Sequence, residues 1–546
     1  MDSPLARFSV PDSLAALLHV RAAERPDDEF LRFGDRVYTY SDIEADVRSL
    51  AAAWQDLGLE RGDRVVLNLA NCPEAVVSVL AAARLGAPVV PLNPLSSPQE
   101  LRFVLRNTEA TIAVTAERIG DTDFLQTFEK LLPDLPALQY VATVGEEDLW
   151  YDDRIFQFED LVSAGRGLDL VPVDVVASDD AAILYTAGTS HKQKGAILSH
   201  ENLLYAGAAT AAALGLTRDD KTLCAVPLFN IFGLGATLVP ALVSGGSLLL
   251  QDAFDEGEAL DLVARYRPTV LHGVPTMFVL LQRALAASPR DVSSLRTGIV
   301  AGAPAGPDLV RSIRQTLIPQ LEIAYGLTET SATVSITDRD MDEEARSVSV
   351  GRPLPGVEVC ILDGDECMRR GEEIGHIAVR GPNVMSGYFR QPSATRAAFT
   401  EDGFLRTGDV GKLDAAGNLH IVGRESDTIN RGGYGVHPRE IEEHLRSHPA
   451  VDDAVVVGLP NDVLGELICA CVVPIEGALV SEDEIRDHCR SALAEYKLPD
   501  IVRFLEDVPR SEEGLPLRAE LARALRLQDA RLPQAADAKA VGDEAP

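Results

Sequence analysis

Three short apolar runs between residues 64 and 115, each parted from the next by a helical pattern, constrain this chain more than any other feature. Arg64-Val-Val-Leu-Asn68, Gly86-Ala-Pro-Val-Val-Pro91 and Ile112-Ala-Val-Thr115 read as buried strands. Residues 73–84 form an alanine-rich helical pattern with proline in its first turn, and Ser97-Pro-Gln-Glu100 opens another helix with a capping box. Strands joined by whole helices do not pair as hairpins; they align in parallel through crossovers. The expected fold is therefore α/β with doubly wound sheets, and the same rhythm resumes after a charged, loop-like stretch at 145–159.

A second regime begins near Arg424, with shorter segments: a glycine-rich loop, a helix at 438–447, a strand at 454–458 and a helix at 482–496. At 546 residues the chain exceeds one core, so a large domain followed by a small α+β domain is expected. The net charge of −34 opposes nucleic acid and anionic lipid, and it requires that any anionic substrate be held by a local positive site. Seven scattered cysteines in no ligand spacing, with no leader-like segment, favour a reducing cytoplasmic setting. Cys469 and Cys471 alternate within Leu467-Ile-Cys-Ala-Cys-Val-Val473, which reads as a strand with both thiols on one face. Residues 227–251 carry no charge and could span a bilayer, but Pro240 and Gly245-Gly246 divide them into a buried helix and a strand.

Four motifs carry chemistry. Thr186-Ala-Gly-Thr-Ser-His-Lys-Gln-Lys-Gly195 follows the apolar run Ala182-Ile-Leu-Tyr185. Gly188 lets backbone N–H groups approach anionic oxygens, Thr186, Thr189 and Ser190 donate from hydroxyls, and Lys192 and Lys194 supply charge. By itself the loop reads better as a solvated turn than as a phosphate cradle, and it is not a Walker A sequence. Gly302-Ala-Pro304, Tyr325-Gly-Leu-Thr-Glu329, and the pair Thr407-Gly-Asp409 with Gly423-Arg424 complete the set.

In this order and spacing the motifs resemble the adenylate-forming superfamily of acyl-CoA and aryl-CoA ligases, peptide-synthetase adenylation domains and luciferases. The resemblance runs from Tyr38-Thr-Tyr-Ser41 to Arg518 and implies binding of ATP and Mg²⁺. It places the triphosphate on residues 186–194 and adenine against Gly302, Ala303, Pro304, Tyr325 and Gly326. It gives the α-phosphate to Thr328, the magnesium ion to Glu329, and the ribose to Asp409 and Arg424. Gly433, within Ile429-Asn-Arg-Gly-Gly-Tyr-Gly435, would approach the pantetheine arm if coenzyme A is used. The segments His272-Gly-Val-Pro-Thr-Met277 and 302–306 would line the acyl pocket. The same resemblance divides the chain into residues 1–422 for ATP and substrate, a hinge at 423–427, a swinging domain at 428–530 and a disordered tail at 531–546.

Three departures bear on the reaction. Leu515, in Pro509-Arg-Ser-Glu-Glu-Gly-Leu515, replaces the family's catalytic lysine, and losing one such electrostatic contact costs roughly 10²–10³ in rate. Asn230, in Pro227-Leu-Phe-Asn-Ile-Phe-Gly233, stands where many ligases place histidine beside the carboxylate; asparagine bonds an anion but cannot protonate it. His191 replaces a glycine. Three readings follow: a ligase joining a small carboxylic acid to coenzyme A; an ATP-dependent diazotase that activates nitrite for an aryl amine; and a non-catalytic nucleotide-binding homologue.

Overall fold

A computed structural model describes residues 4–528 except 121, 147–152, 187–192, 364–367, 370–372, 432–433, 462–463, 491–492, 494 and 512–513. The tail at 531–546 lies outside them, as do Gly188, Thr189, Ser190, His191, Lys192 and Gly433. Chain contacts divide the protein into two units, Met1–Val359 with Ala378–Leu405, and Cys360–Ile377 with Arg406–Pro546.

The larger unit holds two sheets. The sequence strands return as Val65–Asn68, Val89–Pro91 and Ile112–Ala116, parallel to one another in an eight-stranded sheet. The intervening helices are Pro73–Leu85 and Pro98–Thr108, and Ser97 and Glu100 form the expected capping box. Gly86 ends the first helix in the left-handed conformation, which glycine adopts without strain. At one end of this sheet the order runs Val89–Pro91, Asp180–Thr186, Lys194–Ser199, Gly387–Tyr388.

The nine-stranded sheet has at its centre five parallel strands in the order Gln320–Tyr325, Thr297–Val300, Val270–Leu271, Lys221–Cys224, Ser247–Leu250. Leu223, Leu249, Leu271, Val300 and Leu321 pack there with Phe278 and Ile313 from helices Pro275–Ala287 and Pro307–Thr316. The uncharged stretch divides as expected: Ile231–Gly233, a π-turn at Leu234–Leu238 and Val239–Ser244 lead to the strand Ser247–Leu250. No helix among the described residues is long and apolar enough to cross a membrane.

In the smaller unit, Val451–Asn461 and Gly465–Pro474 form a long antiparallel pair buried on both faces. Ala454 and Val456 pack with Ile441 and Leu445 of helix Pro438–Arg446. On the opposite face Val455, Val457, Cys469 and Cys471 meet Leu521 and Leu525 of helix Arg518–Gln528. Both thiols do share one face, and the neighbouring Cys469 thiol first, then burial, raises the Cys471 pKa. Of the helix expected at 482–496, Glu482–Arg490 is helical and Glu495–Lys497 forms a 3-10 turn, while 491–492 and 494 lie outside the described residues. One expectation changes. The segment read as a loop at 429–435 holds two short antiparallel strands, Ile429–Arg431 and Tyr434–Val436.

Candidate active site

In an open parallel sheet, ligands gather beyond the carboxyl ends of the strands, where the chain leaves the sheet and its loops diverge. Four neighbouring strands of the nine-stranded sheet deliver candidate groups to that edge. Gln320–Tyr325 leads into Gly326 and Glu329, Thr297–Val300 into Gly302-Ala-Pro304, Val270–Leu271 into His272, and Lys221–Cys224 into Asn230.

The turn after Tyr325 is built for close approach. A Cβ at Gly326 would lie 1.9 Å from the Ala332 carbonyl oxygen, so no other residue fits without moving the backbone. Thr328–Thr330 forms a 3-10 turn, and Ser331 and Ala332 then take left-handed φ values of 54° and 81°. Such strain persists only where surrounding contacts fix it. Asn383, fully buried, supplies them: its amide donates to the carbonyls of Thr330 at 3.2 Å and Thr333 at 2.8 Å. The Ser331 hydroxyl donates to the Asn383 carbonyl at 3.0 Å. Gly302, at φ 82°, sits beside Val274, whose side chain would be 3.2 Å from an added Cβ.

Thr186 pairs with Lys194 across antiparallel strands, so the two residues stand on either side of 187–193, and the helix capped by Ser199 begins only after the second strand. Ala196 pairs with Tyr388 on the next strand. The Tyr388 hydroxyl donates to Glu329 Oε1 at 2.8 Å, while Lys194 Nζ lies 5.1 Å from the centre of the same ring. Burial first, then the neighbouring Glu329 charge, raises the Tyr388 pKa well above the ordinary tyrosine value, so it remains a donor. One tyrosine thus links the lysine of the first motif to the glutamate of the second. The sequence reading did not single it out.

Asn230 caps the helix Ile231–Gly233, its side-chain oxygen accepting from the Phe232 N–H at 3.4 Å. The loop before it is held by buried Asn71, which donates to the carbonyls of Cys224 at 3.3 Å and Val226 at 3.0 Å and accepts from Leu228 N–H at 2.7 Å.

In the smaller unit Asp409 and Arg424 stand opposite each other on strands Leu405–Leu413 and Leu419–Arg424. Arg424 Nε donates to Asp409 Oδ1 at 3.0 Å, and the aspartate is 4% exposed. Asp427, in the 3-10 turn Glu425–Asp427, pairs with Arg518 at 3.2 Å. Leu515 is half-buried in a tight turn: Ser511 N–H donates to the Leu515 carbonyl at 2.8 Å, and Gly514 takes φ 79°.

The carboxyl ends of four strands of the nine-stranded sheet thus carry a glycine-relieved turn and a carboxylate held by a tyrosine of the eight-stranded sheet. The AMP-binding enzyme family matches residues 18–389 and the AMP-binding enzyme C-terminal domain residues 440–515. The chain is 31% identical over 530 residues to the "Putative acyl-CoA synthetase YngI" of Bacillus subtilis (strain 168), covering 92% of this chain and 95% of that one. A "3-[(3aS,4S,7aS)-7a-methyl-1,5-dioxo-octahydro-1H-inden-4-yl]propanoyl:CoA ligase" of Mycobacterium tuberculosis (strain ATCC 25618 / H37Rv) is 34% identical over 518 residues, 94% and 98% of the two chains. Among solved structures, ATP-bound MatB from Rhodopseudomonas palustris superposes with a TM-score of 0.83 at 31% identity, covering 94% of this chain and 99% of the other. The chain belongs to the AMP-binding enzyme family, and within it to the adenylate-forming acyl-CoA ligases.

Proposed function

We propose that the protein activates a small carboxylic acid with ATP and passes the acyl group to coenzyme A. The carboxylate oxygen attacks the α-phosphorus, pyrophosphate leaves, and the thiol then displaces AMP from the acyl-AMP. The observation that carries this reading is the Lys194–Tyr388–Glu329 arrangement beside the four loop-bearing strand ends. It sets a cation and a carboxylate around one phenol, as a nucleotide triphosphate with a divalent ion requires.

Tyr325, Gly326 and Gly302-Ala-Pro304 are assigned to adenine, Thr328 to the α-phosphate, and Thr186 and Lys194 to the outer phosphates. The same assignment extends to Gly188, Thr189, Ser190 and Lys192, and Gly433 is assigned to the pantetheine arm. Asp409, which can accept from two hydroxyls, is assigned with Arg424 to the ribose. Glu329 fits magnesium: Oε1 accepts from Tyr388, and a single hard carboxylate suits an ion that keeps phosphates and water as its other ligands. When bound there, the ion would supply charge neutralisation to the nucleotide phosphates. Residues 423–427 are assigned as the hinge between residues 1–422 and a swinging domain at 428–530. Asn230 would hydrogen-bond the substrate carboxylate without protonating it.

The relatives support the acid and coenzyme A, since those named above are an acyl-CoA synthetase and a propanoyl:CoA ligase. The test is AMP release from ATP with loss of free thiol across a panel of fatty and aryl acids. Parallel reactions carry nitrite with amino-aryl acids. Thiol loss matched to AMP supports the proposal; AMP formed only with nitrite refutes it.

A further inference from the structure

In the smaller unit three histidines meet where helix Pro438–Arg446 packs against helix Glu482–Arg490. His444 and His488, each in the last turn of its helix, stack face to face with centroids 4.2 Å apart and planes 8° from parallel. His448, just past the first helix, meets His488 edge-on at 5.0 Å. The stack is clasped from both sides. His444 Nε2 donates to the His488 carbonyl at 2.9 Å, and His488 Nε2 donates to the His444 carbonyl at 3.0 Å. Ser447 Oγ donates to the same His444 carbonyl at 2.6 Å and lies 3.1 Å from His488 Nε2. A carbonyl oxygen only accepts, so both rings carry their proton on Nε2, and a second proton enters either ring at Nδ1.

The reciprocal bonds therefore join two helix ends through a pair of neutral rings. Ile485 and Cys489 on one helix and Leu445 on the other are fully buried in a shared core cluster. A proton on either Nδ1 sets a positive charge against the face of the partner ring, and like charges at that separation repel. The charged side chains of the surrounding elements are paired among themselves. Arg446 bonds Asp453 of the strand Val451–Asn461, Glu443 bonds Arg439, Asp487 bonds Arg490, and Lys497 bonds Glu440. Glu484, the carboxylate nearest in influence to His448, accepts from Ser481. Arg503 stands beside Cys471 on the far face of the sheet. Burial lowers the His488 pKa; its bond to the His444 carbonyl opposes this, and the charges of His444 and His448 add to it.

We propose that this imidazole clasp is an acid-opened latch: neutral, it holds the two helix ends of the smaller unit together, and protonated, it releases them. His488 takes up its proton less readily in the closed clasp than in the opened chain. The latch's contribution is therefore full above about pH 6.5 and is lost as pH falls below that value. Helix Pro438–Arg446 follows the strand Tyr434–Val436 through His437 alone, so its release reaches the short strands at that edge of the sheet.

The test is hydrogen–deuterium exchange of the full chain from about pH 7.5 to about pH 5, read as protection relative to the intrinsic rate. Peptides covering 438–448 and 482–490 should lose protection on the order of tenfold per pH unit for each proton taken up on opening. His488→Phe keeps a ring against His444, and His488→Gln keeps a donor for the His444 carbonyl. In both, the acid loss in these two helices should shrink, while the larger unit's response to pH stays that of the native chain. A second readout needs no variant. Cys489 and Cys224 are each 0% exposed, one in the latch helix and one in the larger unit. Labelling of Cys489 by 4,4′-dithiodipyridine, which reacts with thiols in acid, should accelerate with falling pH more than labelling of Cys224. Protection of the two helices that does not change with pH in the native chain overturns the proposal. So does a loss as steep in either folded variant as in the native chain, or Cys489 labelling that accelerates no more than that of Cys224.

Discussion

Replacing Tyr388 by phenylalanine removes one hydroxyl and leaves the ring beneath Lys194. In the native protein that hydroxyl donates to Glu329 Oε1 at 2.8 Å, and both residues are half-buried. A hydrogen bond to a charged group contributes about 1.5–3 kcal/mol, and partial exposure lowers this to about 1–2 kcal/mol. If Glu329 holds the magnesium of the nucleotide, the loss should appear as a roughly five- to thirtyfold fall in kcat/KM for magnesium-ATP. The assay is steady-state AMP formation at saturating acid with magnesium varied. A double-mutant cycle isolates the pair: Tyr388→Phe should matter little once Glu329→Gln is present, because its effect passes through that carboxylate. Activity within twofold of native, or a full additional loss on top of Glu329→Gln, would refute the linkage.

Asn383→Ala leaves the carbonyls of Thr330 and Thr333 without their buried donor, so the larger unit should lose about 2–4 kcal/mol, read as a lower melting temperature; an unchanged melt would mean water replaces the amide. His200 and His272 are buried and each has its pKa lowered from 6.5 to about 4. The unfolded chain therefore binds more protons than the folded one within that window. Stability should be full above about pH 6.5 and decline towards pH 4, by at most about 1.4 kcal/mol per pH unit for each histidine, a slope that His200→Phe should shallow. Asp409→Asn should raise KM for ATP about tenfold through its weaker ribose contact, and it should affect a deoxyribose nucleotide less; an equal effect on both would argue against the ribose assignment.

The parallel strands from Val65 to Ala116 and the capping boxes were legible because their signals are local: apolar runs, a proline in a first turn, a serine three residues before glutamate. Tyr388 escaped notice because its role depends on pairing with Ala196 and on Glu329, partners remote in sequence. Its local sequence, Val384-Met-Ser-Gly-Tyr388, carries no motif that marks it. Asn383 and Asn71 are likewise single asparagines whose carbonyl partners no local pattern indicates. The strand Lys194–Ser199 was hidden by the glycine and lysine that begin it, features that read as loop. The pair Ile429–Arg431 and Tyr434–Val436 is too short to show alternation, and Arg431 gains support by pairing with Gly465. Leu515 was visible at once, because it departs from a motif that is contiguous in sequence.

The measurement closest to the central claim is acid-dependent exchange of labelled pyrophosphate into ATP, run without coenzyme A. Reversible formation of an acyl-AMP predicts exchange that requires a carboxylic acid and magnesium, falls sharply in Glu329→Gln and rises in Leu515→Lys. Absence of exchange with every acid in protein that binds ATP, in the native chain and in Leu515→Lys alike, would contradict it.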